Sequence, residues 1–119
     1  MSLTPSVPIE LRVAKDKKSL RVVFSKELAY KFPAEMLRVL SPSAEVQGHS
    51  PSQRQTIGGK KDVEIMTVEA VGNYAIRITF DDMHNTGIFS WSYFLELGKD
   101  KETRWNDHLA DLEAKGLTR

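Results

Sequence analysis

Apolar residues recur along this chain with two periods, and the switch between them marks out the elements. Ile9, Leu11 and Val13 alternate with Glu10, Arg12 and Ala14, which predicts a strand with one buried face. Asp16-Lys17-Lys18-Ser19 predicts a turn, residues 20–24 the returning strand, and Ser25-Lys26-Glu27-Leu28 a second turn into a short strand over 29–32. Pro33 stands where a first helical residue would. Met36, Leu37 and Leu40 follow at helical spacing, so a helix is expected over 34–40, stopped by Ser41-Pro42. Val63, Ile65 and Thr67 begin a second alternating stretch, which Glu69-Ala70-Val71-Gly72-Asn73 bends back. Tyr74, Ile76, Ile78 and Phe80 then alternate with Ala75, Arg77 and Thr79 in the clearest strand of the chain. Ser90 is placed to cap a helix bearing Trp91, Phe94, Leu95 and Leu97 and closed by Gly98. A last helical stripe carries Trp105, Leu109 and Leu112, with Gly116 near its end. The expected fold is a small α+β domain: one antiparallel sheet of about five strands, with short helices after the third strand and at the C-terminal end. Residues 1–7 read as a flexible N-terminal tail and 8–119 as the single domain.

Two stretches fit neither period. Residues 41–60 hold four serines, two prolines and three glycines, a loop of the length that is usually functional or disordered. Residues 80–91 place Asp81, Asp82, His84, Asn85 and Thr86 between a strand and a helix. That is the densest run of chemically capable side chains here, and also the composition of a tight turn.

Composition narrows the possibilities further. With 119 residues, 40% hydrophobic and 28% charged, the chain is the size and character of one globular domain. Cysteine is absent, which removes disulfides, thiolate zinc sites and cysteine nucleophiles. No apolar run is long enough to span a bilayer and no signal peptide is visible, so a cytoplasmic address without membrane partners is the expectation. A net charge of +1 argues against specific nucleic-acid binding; Lys15, Lys17, Lys18, Lys60 and Lys61 read as solvated turn tips.

The runs Phe32-Pro33-Ala34-Glu35-Met36-Leu37-Arg38, Ser41 through His49, Val71-Gly72-Asn73-Tyr74-Ala75-Ile76 and Phe80 through Trp91, with the tail around Trp105, resemble a known family. It is the gamma-butyrobetaine hydroxylase N-terminal-like domain, also called domain of unknown function 971, and the resemblance runs from about Pro8 to the last helix. In the hydroxylases this domain precedes an iron- and 2-oxoglutarate-dependent catalytic domain. Elsewhere it is joined to nucleotide-binding ATPases of iron–sulfur cluster assembly, and this chain resembles the stand-alone bacterial members. The family's structural zinc is held by a Cys-x-Cys-x-x-Cys run and a later histidine. Those positions fall here on Ser41, Ser43, Val46 and His84, so only the histidine survives. Hydroxyls at their ordinary pKa replace thiolates poorly and valine is no ligand, so the resemblance implies a degenerate site without zinc and no other cofactor. The family's Asp-Gly-His turn carries Met83 in place of its glycine.

Three functional readings compete. A serine nucleophile would use Ser41 or Ser43 with His84 and Asp82, but no Gly-x-Ser-x-Gly elbow accompanies them, and a structural cluster is favoured. A rebuilt zinc or iron site would draw on His84, His49 and Glu45. The preferred reading is a non-catalytic adaptor for an unidentified protein partner, with Asp82, His84, Asn85 and an outward Tyr93 as contact candidates. Trp91 and Phe94 are assigned to the core. The resemblance extends the adaptor reading to iron–sulfur assembly or iron-dependent oxygenase systems.

Overall fold

The computed structural model describes residues 7–47 and 55–119, apart from the side chains of Ala44 and Glu45. Its elements are β1 (Glu10–Val13), β2 (Ser19–Val23), β3 (Ala29–Pro33), α1 (Ala34–Val39), α2 (Ala44–Gln47), β4 (Ile65–Val71), β5 (Ala75–Phe80), β6 (Ile88–Ser90), α3 (Trp91–Lys99) and α4 (Lys101–Ala114). The α+β class holds, but the single five-stranded sheet does not. Among the described residues there are two antiparallel three-stranded sheets, ordered β1-β2-β3 and β4-β5-β6. Each is a meander of neighbours in sequence, so every pairing is local. The sixth strand, β6, carries one fully buried side chain, Phe89, and is too short to show a period.

The first meander turns through Lys17 at φ 63°, a left-handed conformation held by Asp16 Oδ1 accepting from the Lys18 amide at 3.0 Å. That turn also joins the two sheets. The Lys17 carbonyl accepts from the Ile65 amide at the start of β4, and the Lys18 carbonyl from the Ala34 amide at the start of α1, both at 2.8 Å. Pro33, one position earlier than expected, ends β3 and precedes α1 in extended conformation (φ −61°, ψ 144°). Lys101 covers the β3 edge by donating to the Lys31 carbonyl, its ammonium 5.9 Å from the centre of the Phe32 ring.

The core lies between the sheets and helices. Leu20, Val22 and Phe32 from the first sheet meet Ile76, Ile78, Phe80 and Phe89 from the second, with Met36, Leu37, Phe94 and Leu97 from α1 and α3. Alternation located this face in β2, β3 and β5 but not throughout: Ile9 and Tyr74 are exposed beyond the paired residues, and in β4 a register shift between Ile65 and Thr67 leaves Thr67 exposed and turns Val68 to the core instead. Among the described residues no helix is long and apolar enough to cross a membrane.

Ser90 caps α3 as expected, its Oγ accepting from the Tyr93 amide at 3.1 Å. Gly98 does not close that helix. It lies inside it, and the break falls at Asp100, between α3 and α4. The glycine is needed instead for close packing, because a Cβ there would sit 2.6 Å from the Tyr30 ring. Gly98→Ala should therefore destabilise the protein by about 1–3 kcal/mol through overpacking, although alanine is the better helix former. A urea midpoint at or above that of the wild type would refute this account.

Candidate functional site

The site is built on the turn between β5 and β6. Phe80 starts it: the Met83 amide donates to the Phe80 carbonyl at 2.9 Å, and the Phe80 amide to the His84 carbonyl at 3.0 Å. Met83 closes the turn at φ 72° and points outward, 71% exposed. The left-handed turn that glycine would favour is thus kept without glycine, at the steric cost an L side chain incurs there.

His84 points inward. Its Nε2 lies 3.1 Å from Ser41 Oγ and 3.4 Å from Ser43 Oγ, and the Ser43 amide donates to Ser41 Oγ at 3.3 Å. Ser41, Ser43, Val46 and His84 are all buried. The positions carried over from the family therefore do meet, at least for the two serines and the histidine. Gly87 makes room for them, since a Cβ there would collide with Ser41 Oγ. Gln47 fixes the strand of chain behind the serines by donating Nε2 to the Ser41 carbonyl at 2.9 Å.

The chemistry available to this cluster is restricted by burial. Ser41 has 0% of its surface exposed, so no substrate carbonyl can approach its oxygen in this conformation. Asp82 does not serve as the third member of a nucleophilic triad. Its Oδ2 accepts from Arg38 Nε at 2.7 Å and pairs with Lys60 Nζ at 2.6 Å, while Oδ1 accepts from the backbone amide of His84 at 3.1 Å. Burial raises the Asp82 pKa, but the hydrogen bonds from Lys60, Arg38 and the His84 amide, with the Arg38 charge, outweigh it and hold the carboxyl at about 2. Lys60, read as a solvated tip, is thus a member of the site.

Zinc fits this donor set poorly: one imidazole and two hydroxyls at one place, with valine at the fourth family position. Among the described residues no three His, Asp or Glu side chains converge on a point that could hold a metal. His49 and the side chain of Glu45, the other members of the rebuilt-site reading, lie outside the described residues. Of the contact candidates, Asn85 is exposed, Asp82 is mostly covered by its partners and His84 is buried. Tyr93 is not outward as expected. It is half-buried against the core, and its hydroxyl donates to the Leu40 carbonyl. Trp91 is half-buried with its Nε1 donating to the Asn73 carbonyl at 2.9 Å, and Phe94 is fully buried. Two buried polar residues escaped the sequence reading: Glu35 on α1, and His108 on α4, three residues after Trp105, a spacing that places Trp105 and His108 on the inward stripe of α4.

The comparisons with known proteins fit this geometry. The family model described as gamma-butyrobetaine hydroxylase-like, N-terminal, matches residues 11–95, which contain the whole turn and both serines. Two NMR solution structures are similar, at 41% and 34% identity and TM-scores of 0.82 and 0.79. They cover 98% and 100% of this chain and 91% and 90% of their own. A crystal structure at 1.93 Å of a protein of unknown function of the DUF971 family, from Acidithiobacillus ferrooxidans, is 32% identical with a TM-score of 0.66. That alignment covers 82% of this chain and 98% of the other. No curated protein matches the chain.

Two outcomes follow from the turn. Met83→Gly should stabilise the protein by about 1 kcal/mol by relieving the left-handed φ, seen as a raised urea midpoint. The Asp82 carboxyl titrates below its ordinary 3.8, so its ionised form stabilises the fold above that pH, and the contribution is lost as pH falls towards about 2. Asp82→Asn should remove about 1–2 kcal/mol of acid-labile stability after allowance for solvent screening. A variant whose stability falls between pH 4 and 2 as steeply as the wild type's would contradict the assignment.

Proposed function

The chain belongs to the gamma-butyrobetaine hydroxylase-like N-terminal family, and from that membership we propose that it is a non-catalytic docking module whose contact surface is the outer rim of the β5–β6 turn. The observation that carries this reading is how the side chains divide between the two sides of the turn. Its inner side is consumed by structure: His84 on Ser41 and Ser43, and Asp82 on Arg38, Lys60 and the His84 amide. Its outer side presents Met83, Asn85 and Thr86, all exposed, on a turn closed by the backbone bonds of Met83 and His84 to Phe80. A rigid rim with an apolar centre and hydrogen-bonding flanks costs little entropy on binding. Among the sequence candidates, Asn85 is a direct contact and Asp82 and His84 are supports beneath it.

The family context suggests which proteins such a module serves. Domains of this family resemble segments joined to iron-dependent oxygenases and to iron–sulfur assembly ATPases, and on that resemblance the proposed partner is a cytoplasmic protein of iron handling. The metal-binding alternative would use His84 with His49 and Glu45. The cluster itself supports it with one nitrogen donor, and that donor is already engaged by two hydroxyls.

Metal behaviour separates the two readings. An adaptor should purify without stoichiometric metal, keep its Tm in chelator, and leave the His49 and His84 imidazole resonances in place during zinc or iron(II) titration. One bound metal per chain, with a Tm that drops on chelation, would replace the adaptor reading by the metal-site one. Docking has its own readout: a photo-crosslinking side chain at Met83 or Asn85 should capture one discrete iron-system protein in cells, while the same group at Asp16 should not. Equal capture from both positions would sink the rim as the contact surface.

A further inference from the structure

A second polar arrangement lies away from the turn. Glu35, in the first turn of α1, is only 6% exposed, an unusual place for a carboxylate unless it is paired. Its partner is Arg119, which follows α4. Arg119 Nη2 donates to Oε1 at 2.7 Å and Nε to Oε2 at 3.1 Å, the two-pronged geometry that guanidinium forms and ammonium cannot. The same guanidinium carbon lies 5.6 Å from the centre of the Trp105 ring. Carboxylate and indole come from different helices, α1 and α4, and the guanidinium bridges them.

The receptor and its occupant differ in how firmly they are held. Glu35 and Trp105 belong to helices packed on the core. Arg119 belongs to a segment that is exposed from Glu113 onward and is secured by the Leu117 amide on the Leu112 carbonyl and the Gly59 amide on the Thr118 carbonyl, both at 2.8 Å. The Arg119 side chain is 48% exposed, so the site opens to solvent along the arginine stem. Beside it lies an open cleft of about 410 Å³ whose walls are mixed in charge, with Lys60 and Lys61 as well as Asp62, Asp81 and Asp82 next to Arg119. Trp105 and Arg119 also lie beyond the residues that the family model matches.

We propose that Glu35 and Trp105 form a guanidinium-binding site, occupied in cis by Arg119, which an arginine side chain of a partner protein takes over in trans. Arg119 then acts as a tethered competitor. It keeps the buried carboxylate neutralised while the site is unengaged, and it sets a threshold that a single stray arginine does not pass, because the tether supplies a high effective concentration. A partner arginine wins when the rest of its own contact surface holds it nearby.

The test is a titration of the full chain with a short, otherwise uncharged peptide containing one arginine, read from the Trp105 indole resonance. A lysine peptide of the same length is the control. Arg119→Ala should bind the arginine peptide about tenfold or more tightly than the wild type, since the tethered competitor is gone. The lysine peptide should leave the indole unmoved, and Glu35→Gln combined with Arg119→Ala should abolish the response. A folded Arg119→Ala protein whose indole ignores the arginine peptide, or answers both peptides alike, overturns the proposal. If that variant does not fold, the wild type decides. The Arg119 Nε–H resonance should move to its random-coil position at high arginine-peptide concentration, and its staying in place to saturation overturns the proposal equally.

Discussion

The carboxylate of Asp82 is the constraint on which the rest of the site depends. It takes a guanidinium from α1, an ammonium from the segment that leads into β4, and a backbone amide from its own turn. Three parts of the chain that are distant in sequence are thereby brought to one pair of oxygens. Because the side chain is largely covered, the ionised form depends on those donors, and the donors in turn depend on it. Arg38 is itself 88% removed from solvent at the side chain (12% exposed), where an uncompensated charge would be costly. The turn cannot move relative to α1 without breaking this arrangement. His84 is therefore held under the two serines by electrostatics a few residues away, and its own hydrogen bonds need not supply all of that order.

This explains how a frame associated with metal can persist with hydroxyls in it. In a zinc site the metal would bring the turn and the loop after α1 together. Here Ser41 and Ser43 meet the imidazole directly, Gly87 leaves space for the Ser41 oxygen, and Asp82 secures the turn from outside. Each hydrogen bond in the cluster contributes little, on the order of 1 kcal/mol. The ion pairs around Asp82 contribute through short, weakly screened hydrogen bonds that outweigh the desolvation their covering costs. Together they hold the turn by several weak bonds, and a side chain in an unfavourable backbone conformation, Met83, is tolerated as part of the same arrangement.

Much of this was legible from the amino acids, and the failures share a cause. Alternation marked β2, β3 and β5 because each buries every second residue, and the cap at Ser90 was visible because capping is a local contact. The division into two sheets was not visible, since nothing in β3 or β4 states whether they pair with each other. Gly98 looked like a helix end because glycine often is one, and only the position of Tyr30, far away in sequence, shows otherwise. Tyr93 looked amphipathic and outward until Leu40 supplied a carbonyl for its hydroxyl. The meeting of Ser41, Ser43 and His84 could be expected from the family resemblance alone. The role of Lys60 and the pairing of Glu35 with Arg119, 84 positions apart, left no local trace.

The joint between the sheets is of another kind. It is made by the carbonyl oxygen of Lys17, which accepts from β4, while the carbonyl of Lys18 ties the same turn to α1. Any residue that tolerates the left-handed backbone at position 17 offers the same two oxygens, so the demand here falls on backbone conformation and not on the reach or charge of a side chain. The side chains there are at liberty to drift in charge and size while the halves of the domain stay in register. This exposed corner of the molecule can therefore be rewritten over generations to suit new surroundings, with the fold beneath it unchanged.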